Sequence, residues 1–160
     1  MKILQVCPKF QHSIASGSTK VAYYISRELA RRGHLVTVYT SDMKHKYARI
    51  NHEVEEKDGV RVHRFQSIGT VVTRKMKILV TPTIISSLKK EARSFDAIHI
   101  HEYRSFQSIF VHHYARKYGV PYVLQAHGSL PRIMAKRRLK WIYDVLFGYR
   151  LLRDASKVVA

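Results

Sequence analysis

Short apolar runs, rich in β-branched residues, alternate along this chain with longer amphipathic segments, and few folds accept that rhythm. Ile3-Leu-Gln-Val6 reads as a first strand. A polar loop from Pro8 to Ser18 follows, and Val21 to Arg32 carries Val21, Tyr24, Ile25 and Leu29 at helical spacing. Gly33 stops that helix and Leu35-Val-Thr-Val-Tyr39 is a second strand. Residues 43 to 58 read as a polar loop ending at an Asp58-Gly59 turn that can link a short hairpin to Val60-Arg-Val-His-Arg-Phe65. Pro82 opens a helix with Ile84, Ile85 and Leu88 inward. Strands at Phe95–His101, Tyr122–Ala126 and Lys157–Ala160 are separated by a helix from Ser105 to Tyr118 and a long basic helix from Arg132 to Arg153. Strands joined through helices pair in parallel by right-handed crossovers. The expected fold is α/β: one Rossmann-like, doubly wound, mainly parallel sheet with helices on both faces, over residues 1–160. The chain stops inside an apolar β-like run, so it is expected to be a piece of a longer protein.

Composition narrows the partners. The 160 residues hold 29 Lys+Arg against 11 Asp+Glu, a formal charge of +18. Anions are the expected ligands: nucleic acid, a phosphate-bearing small molecule or an acidic membrane surface. A hydrophobic share of 46% is enough for a core. The single cysteine, Cys7, cannot form an intramolecular disulfide and reads as a small core residue. No run reaches the ~18–20 apolar residues of a membrane span. A secretory signal is not recognisable either, so a cytoplasmic location is expected, peripheral at most to the inner membrane face.

In an open α/β sheet, ligands bind outside the carboxyl ends of the strands. Val123-Leu-Gln-Ala-His-Gly-Ser129 runs a buried strand straight into His127 and Gly128. An imidazole there suits proton transfer or hydrogen bonding near neutral pH. His101 and Glu102 end another strand, followed by Tyr103 and Arg104. Period two puts His99 on the face of His101, with His99 as a packing residue. The H-x-H-E spacing is not a specific metal signature, and no metal is expected. Ser16-Gly17-Ser18 opens the first helix, where backbone N–H groups can meet a phosphate or where a serine can simply cap the helix. It matches neither dinucleotide nor P-loop fingerprints. On the last helix, Lys136, Arg137 and Lys140 cluster on one side, with Phe147 and Leu151 falling beside them by helical geometry. Leu139, Ile142, Val145, Leu146, Tyr149 and Leu152 form the expected core stripe. Basic and apolar residues together suit an anionic membrane surface, another domain or a solvated face.

Several stretches together resemble the N-terminal half of the GT-B glycosyltransferases, in particular the large retaining family 4. They are the strand Met1-Lys-Ile-Leu, the glycine-containing loop, Arg27-Glu-Leu-Ala-Arg-Arg-Gly-His-Leu-Val-Thr-Val-Tyr39, Phe95-Asp-Ala-Ile-His-Ile-His101, Pro121-Tyr-Val-Leu-Gln-Ala-His-Gly128 and the segment Phe147 to Ala160. The resemblance implies sugar transfer from a nucleotide-sugar donor to a glycan or lipid-linked acceptor, with retention and without a catalytic metal or other cofactor. It matches His127 to the family histidine beside donor sugar and acceptor, and turns the Ser16-Gly17-Ser18 loop towards the donor diphosphate. His101, Glu102, Tyr103, Arg104 and Gly128 become acceptor-side candidates. The family's Gly-Gly is Ser16-Gly17 here, and Thr19 stands where Glu is common. The donor-binding C-terminal domain, with its E-x7-E motif, is absent from residues 1–160, so this chain alone is expected to be inactive. A nonenzymatic basic module for nucleic acid or an acidic partner is the alternative, with nucleic acid disfavoured because no recognised nucleic-acid module is present.

Overall fold

A computed structural model of the chain describes residues 1–10, 17–43, 49–50, 53–68, 79–132 and 136–159. Its elements are β1 (Lys2–Val6), α1 (Gly17–Arg31), β2 (Leu35–Ser41), β3 (Val54–Lys57), β4 (Val60–Phe65), α2 (Ile84–Glu91), β5 (Ala97–His101), α3 (Phe106–Tyr118) and β6 (Tyr122–Gln125). Then come α4 (Arg137–Tyr143), a π-helical turn (Asp144–Gly148), α5 (Tyr149–Arg153) and β7 (Lys157–Val159). One sheet runs β3-β4-β2-β1-β5-β6-β7. Only the β3–β4 pair is antiparallel among the described strands. With β3 set aside, the parallel strands follow the doubly wound order, and the winding reverses between β1 and β5. The expected fold class is therefore found, and the place where such sheets bind ligands is outside the carboxyl ends of β1 and β5.

The hairpin turn works as the sequence implied. Asp58 and Gly59 both have positive φ, 53° and 75°, the two-residue turn whose twist matches the strands. The polar stretch expected to be loop contributes β3. Its Val-Glu-Glu-Lys sequence hid it, because an outer strand buries almost nothing and carries charge against edge pairing.

Two apolar layers flank the sheet. Cys7, Phe10, Ala22, Tyr23, Val36, Val38, Val60 and Val62 form the layer under α1. The larger layer holds Leu4, Val6, Tyr39, Ile84, Leu88, Ile98, Ile100, Val111 and Leu124, under α2 and α3. Helix α3 is closed at both ends. Ser105 and Ser108 form a reciprocal capping box, and Gly119 takes the left-handed conformation at φ 67°.

Two helices correct the expectations. Helix α1 begins at Gly17, and its buried side is Thr19, Ala22, Tyr23 and Ser26. Tyr24, expected inward, is exposed. Small Ala22 and Ser26 let the helix sit close to the sheet, and the Ser26 hydroxyl is satisfied by the Ala22 carbonyl at 2.7 Å. The long basic helix starts at Arg137 and is broken by the π turn. Leu151, expected beside the basic side chains as a membrane contact, is fully buried in the core. The expected core stripe is instead exposed at Leu139, Ile142, Val145, Leu146 and Tyr149. A π turn adds a residue to one turn and so rotates everything after it relative to a 3.6-residue count. What faces inward is Asp144, Gly148 and Leu151. A Cβ on Gly148 would lie 2.0 Å from the Tyr103 hydroxyl, so only glycine fits against that ring.

Candidate active site at the carboxyl rim of the sheet

Strand register assembles the rim. Gln5 pairs with His99, and His101 with Gln125. Paired residues share a face, so Gln5, His99, His101 and Gln125 lie on the side that carries Val36 and Val38 on the neighbouring β2. The face changes from valine to amide and imidazole where the winding reverses.

β5 and β6 end alike. Glu102 and His127, the residues that follow them closely, both have positive φ, 78° and 49°. Side-chain-bearing residues rarely adopt this conformation, which costs roughly 1–3 kcal/mol and concentrates at functional sites. Gly128 follows at φ 73°, where glycine is free of that cost. The turn is closed by the Ser129 N–H and hydroxyl, which donate to the Ala126 carbonyl at 3.0 and 2.6 Å.

His101 is the hub. Its Nε2 donates to the Gln5 carbonyl Oε1 at 2.8 Å, and its Nδ1 lies 3.0 Å from His127 Nε2. The His99 ring lies 4.1 Å from its own. Burial above all, then neighbouring His99 and His127, pushes the His101 imidazole down to about 2. Burial and His127 bring His99 to about 4, and burial lowers His127 too. All three rings are therefore neutral at pH 7, and His127 offers a hydrogen bond rather than a cation.

Glu102 meets the first helix: the Ser18 hydroxyl donates to its Oε1 at 3.3 Å. Burial raises the Glu102 carboxyl above its usual range. A carboxylate thus already stands beside the α1 N-terminus expected to face a diphosphate. Gly17 is exposed at the helix start, and Ser16 lies outside the described residues.

Tyr103 and Arg104, named as acceptor-side candidates, are placed behind the rim. Tyr103 is buried. The Arg104 guanidinium is spent on both Asp144 oxygens, at 2.9 and 2.7 Å, and on the Ser129 and Leu130 carbonyls. Arg132 adds a 2.8 Å contact to Asp144. Burial opposes ionisation of Asp144, but the two guanidiniums hold its carboxyl below the usual range. This cluster ties the turn after His127 to the π turn. Gln5, Arg132 and Asp144 were not singled out from the sequence. Their signal was a polar residue inside a buried strand and a lone acid on a basic, apolar helix.

Among the membrane-contact candidates, Lys136 precedes α4 with φ 66°, Arg137 and Phe147 are exposed, and Lys140 is half-buried. Among the described residues, no helix is long and apolar enough to cross a membrane, and no His, Cys, Asp and Glu side chains group to hold a metal.

Residues 16–160 match the glycosyl transferase 4-like domain, more than half of the chain. The chain belongs to that family. Its fold is that of the Rossmann-like N-terminal domain of the GT-B glycosyltransferases. It superposes on sucrose-phosphate synthase from Thermosynechococcus elongatus with a TM-score of 0.64 at 13% identity, covering 98% of this chain and 41% of that one. Anabaena HepE, solved in complex with UDP and glucose, gives 0.62 at 15% identity over 100% of this chain and 38% of its own. Acinetobacter baumannii MurG gives 0.56 at 14%, over 98% and 40%. This glycosyl transferase 4-like chain thus spans about two-fifths of the structures it matches. No curated protein sequence matches it significantly.

Proposed function

We propose that the chain forms the acceptor side of a retaining glycosyltransferase, which moves a sugar from a nucleotide-sugar donor to a glycan or lipid-linked acceptor. The donor is gripped mainly by a second, C-terminal domain, and residues 1–160 alone are inactive. The observation that carries this is the pairing of His127 with His101, whose strand β5 borders the reversal point of a family 4-like sheet. Ligands bind at that point, and a neutral imidazole there positions hydroxyl groups without adding charge. The Gly17 and Ser18 end of α1 faces the departing diphosphate, with Glu102 moving aside or protonating as the anion arrives. No catalytic metal or other cofactor takes part.

His127→Ala in the full-length protein tests this. Turnover is expected to fall on the order of 10²-fold, as for a mispositioned substrate. A rate near wild type would remove His127 from the site. Appreciable transfer by residues 1–160 alone would refute the half-site assignment.

The acceptor is drawn from a membrane surface in this proposal. Trp141, Leu146 and Phe147 are exposed, and Leu146 and Phe147 border a concavity of about 480 Å³ with Arg116, Lys117 and Arg150. Exposed apolar side chains among cations suit an acidic interface. Preference for acidic vesicles over duplex DNA is expected. The reverse preference would favour a nonenzymatic nucleic-acid module.

A further inference from the structure

The Gln5–His101–His127 line has a direction, and each hydrogen bond along it dictates the next. A carbonyl oxygen only accepts, so the 2.8 Å contact to Gln5 Oε1 places a proton on His101 Nε2. His101 is a neutral ring, so its Nδ1 carries a lone pair. The 3.0 Å contact to His127 Nε2 then requires the proton on His127. The geometry is that of a strong bond. Ring planes agree within 14°, and the 5.3 Å between centroids is about the largest that a 3.0 Å nitrogen contact permits. Both nitrogens therefore lie on the line between the ring centres, where an in-plane lone pair points. His127 is left with Nδ1, which has no partner among the described residues, on a ring that is half-buried.

We propose that Gln5 is a positioning residue which, through His101, fixes the tautomer of His127, so that a bare Nδ1 faces the cleft and accepts a hydrogen bond from a hydroxyl of the ligand. That ligand's being a sugar rests on the function proposed above; the tautomer does not. The specificity follows from the direction. A hydroxyl that can donate is held, whereas an ether or carbonyl oxygen at the same place leaves two lone pairs opposed. The Gln5 amide nitrogen is buried without a partner. An orphaned buried donor is unfavourable, and here it accompanies an amide whose oxygen is committed to His101. Among the described residues, the titratable group against the line is His99, whose ring lies 4.1 Å from that of His101.

Imidazole ¹H–¹⁵N correlation spectra of this chain above neutral pH test the proposal without any transfer reaction. Both His101 and His127 are expected to show protonated Nε2 and pyridine-like Nδ1, with a coupling across the bond between them. Gln5→Met, of similar size, removes the acceptor and should shift His127 to a mixture of tautomers. Gln5→Glu, which can only accept when ionised, should keep the wild-type pattern. A protonated Nδ1 on wild-type His127, as an inverted Gln5 amide would impose, overturns the proposal, as do tautomers unmoved by Gln5→Met. If Gln5→Met fails to fold, the wild-type spectrum still decides the direction. Loss of the glycosyltransferase reading would show in full-length turnover and leave these spectra unchanged.

Discussion

The carboxyl rim of the sheet and the helical segment from Arg137 to Arg153 both place polar groups in buried positions, but by opposite routes. At the rim, His101 and His127 end neighbouring parallel strands, and strand direction alone carries them to the same edge. On the helical segment, the apolar stripe is left outside while Asp144 and Gly148 go in. Asp144 is buried because Arg104 and Arg132 await it, and Gly148 because Tyr103 leaves no room for a Cβ. Burial on a strand follows the pleat, whereas burial on this helix follows its partner.

The largest test of that contrast is Asp144→Ala. It strands the Arg104 guanidinium, whose side chain is only 12% exposed. Breaking a buried pair this way costs ~3–5 kcal/mol. Urea unfolding checks it, and a loss under about 1 kcal/mol would mean that solvent, not Asp144, satisfies Arg104. Leu151→Ala should follow at ~2–5 kcal/mol, while Leu146→Ala stays within about 0.5 kcal/mol. Equal losses at the two leucines would restore the uninterrupted 3.6-residue stripe and erase the difference between the regions.

The rim answers to acid. His99 and His101 are held near 4 and 2, below their usual 6.5, mainly by burial. The unfolded chain takes up protons at these sites first. Their contribution is complete above pH 6.5 and is lost as pH falls from there through 4. Asp154, held near 2 by Arg153 and His112, adds its loss only below its usual 3.8. Glu102, raised by burial, works in the opposite sense. Urea midpoints should therefore drop between neutral pH and about pH 5. A flat profile would mean the imidazoles gain solvent and are not held neutral by the fold. The smallest effect is expected from Ser18→Ala, which removes the hydroxyl that stabilises ionised Glu102. The Glu102 carboxyl should titrate still higher in a carbon-13 NMR titration, with about 1 kcal/mol or less lost in stability.

Much of the rim was legible in the sequence because its information is local. β-branched runs name the strands, their alternation with helices fixes parallel pairing, and the residue after each run lands at the carboxyl edge. His127, His101 and Glu102 follow from that alone. Gln5 did not, since nothing local distinguishes a buried glutamine with a partner from an interruption. The helical segment misled because hydrophobic periodicity assumes one constant turn, and the π turn breaks it after Tyr143. Tyr24 misled because the inward face of α1 is Thr19, Ala22, Tyr23 and Ser26, a face whose small hydroxyl-bearing residues hydrophobic spacing passes over.

The sequence by itself determined the parallel strands and the helices between them, the doubly wound sheet and the edge where chemistry can gather, because period and chain direction are properties of neighbouring residues. Only the tertiary structure decided which atoms meet there. Gln5 and His101 stand 96 residues apart, and His101 and His127 stand 26 apart. Their contacts, and the proton direction they impose, exist only once sheet register has brought three distant segments into line.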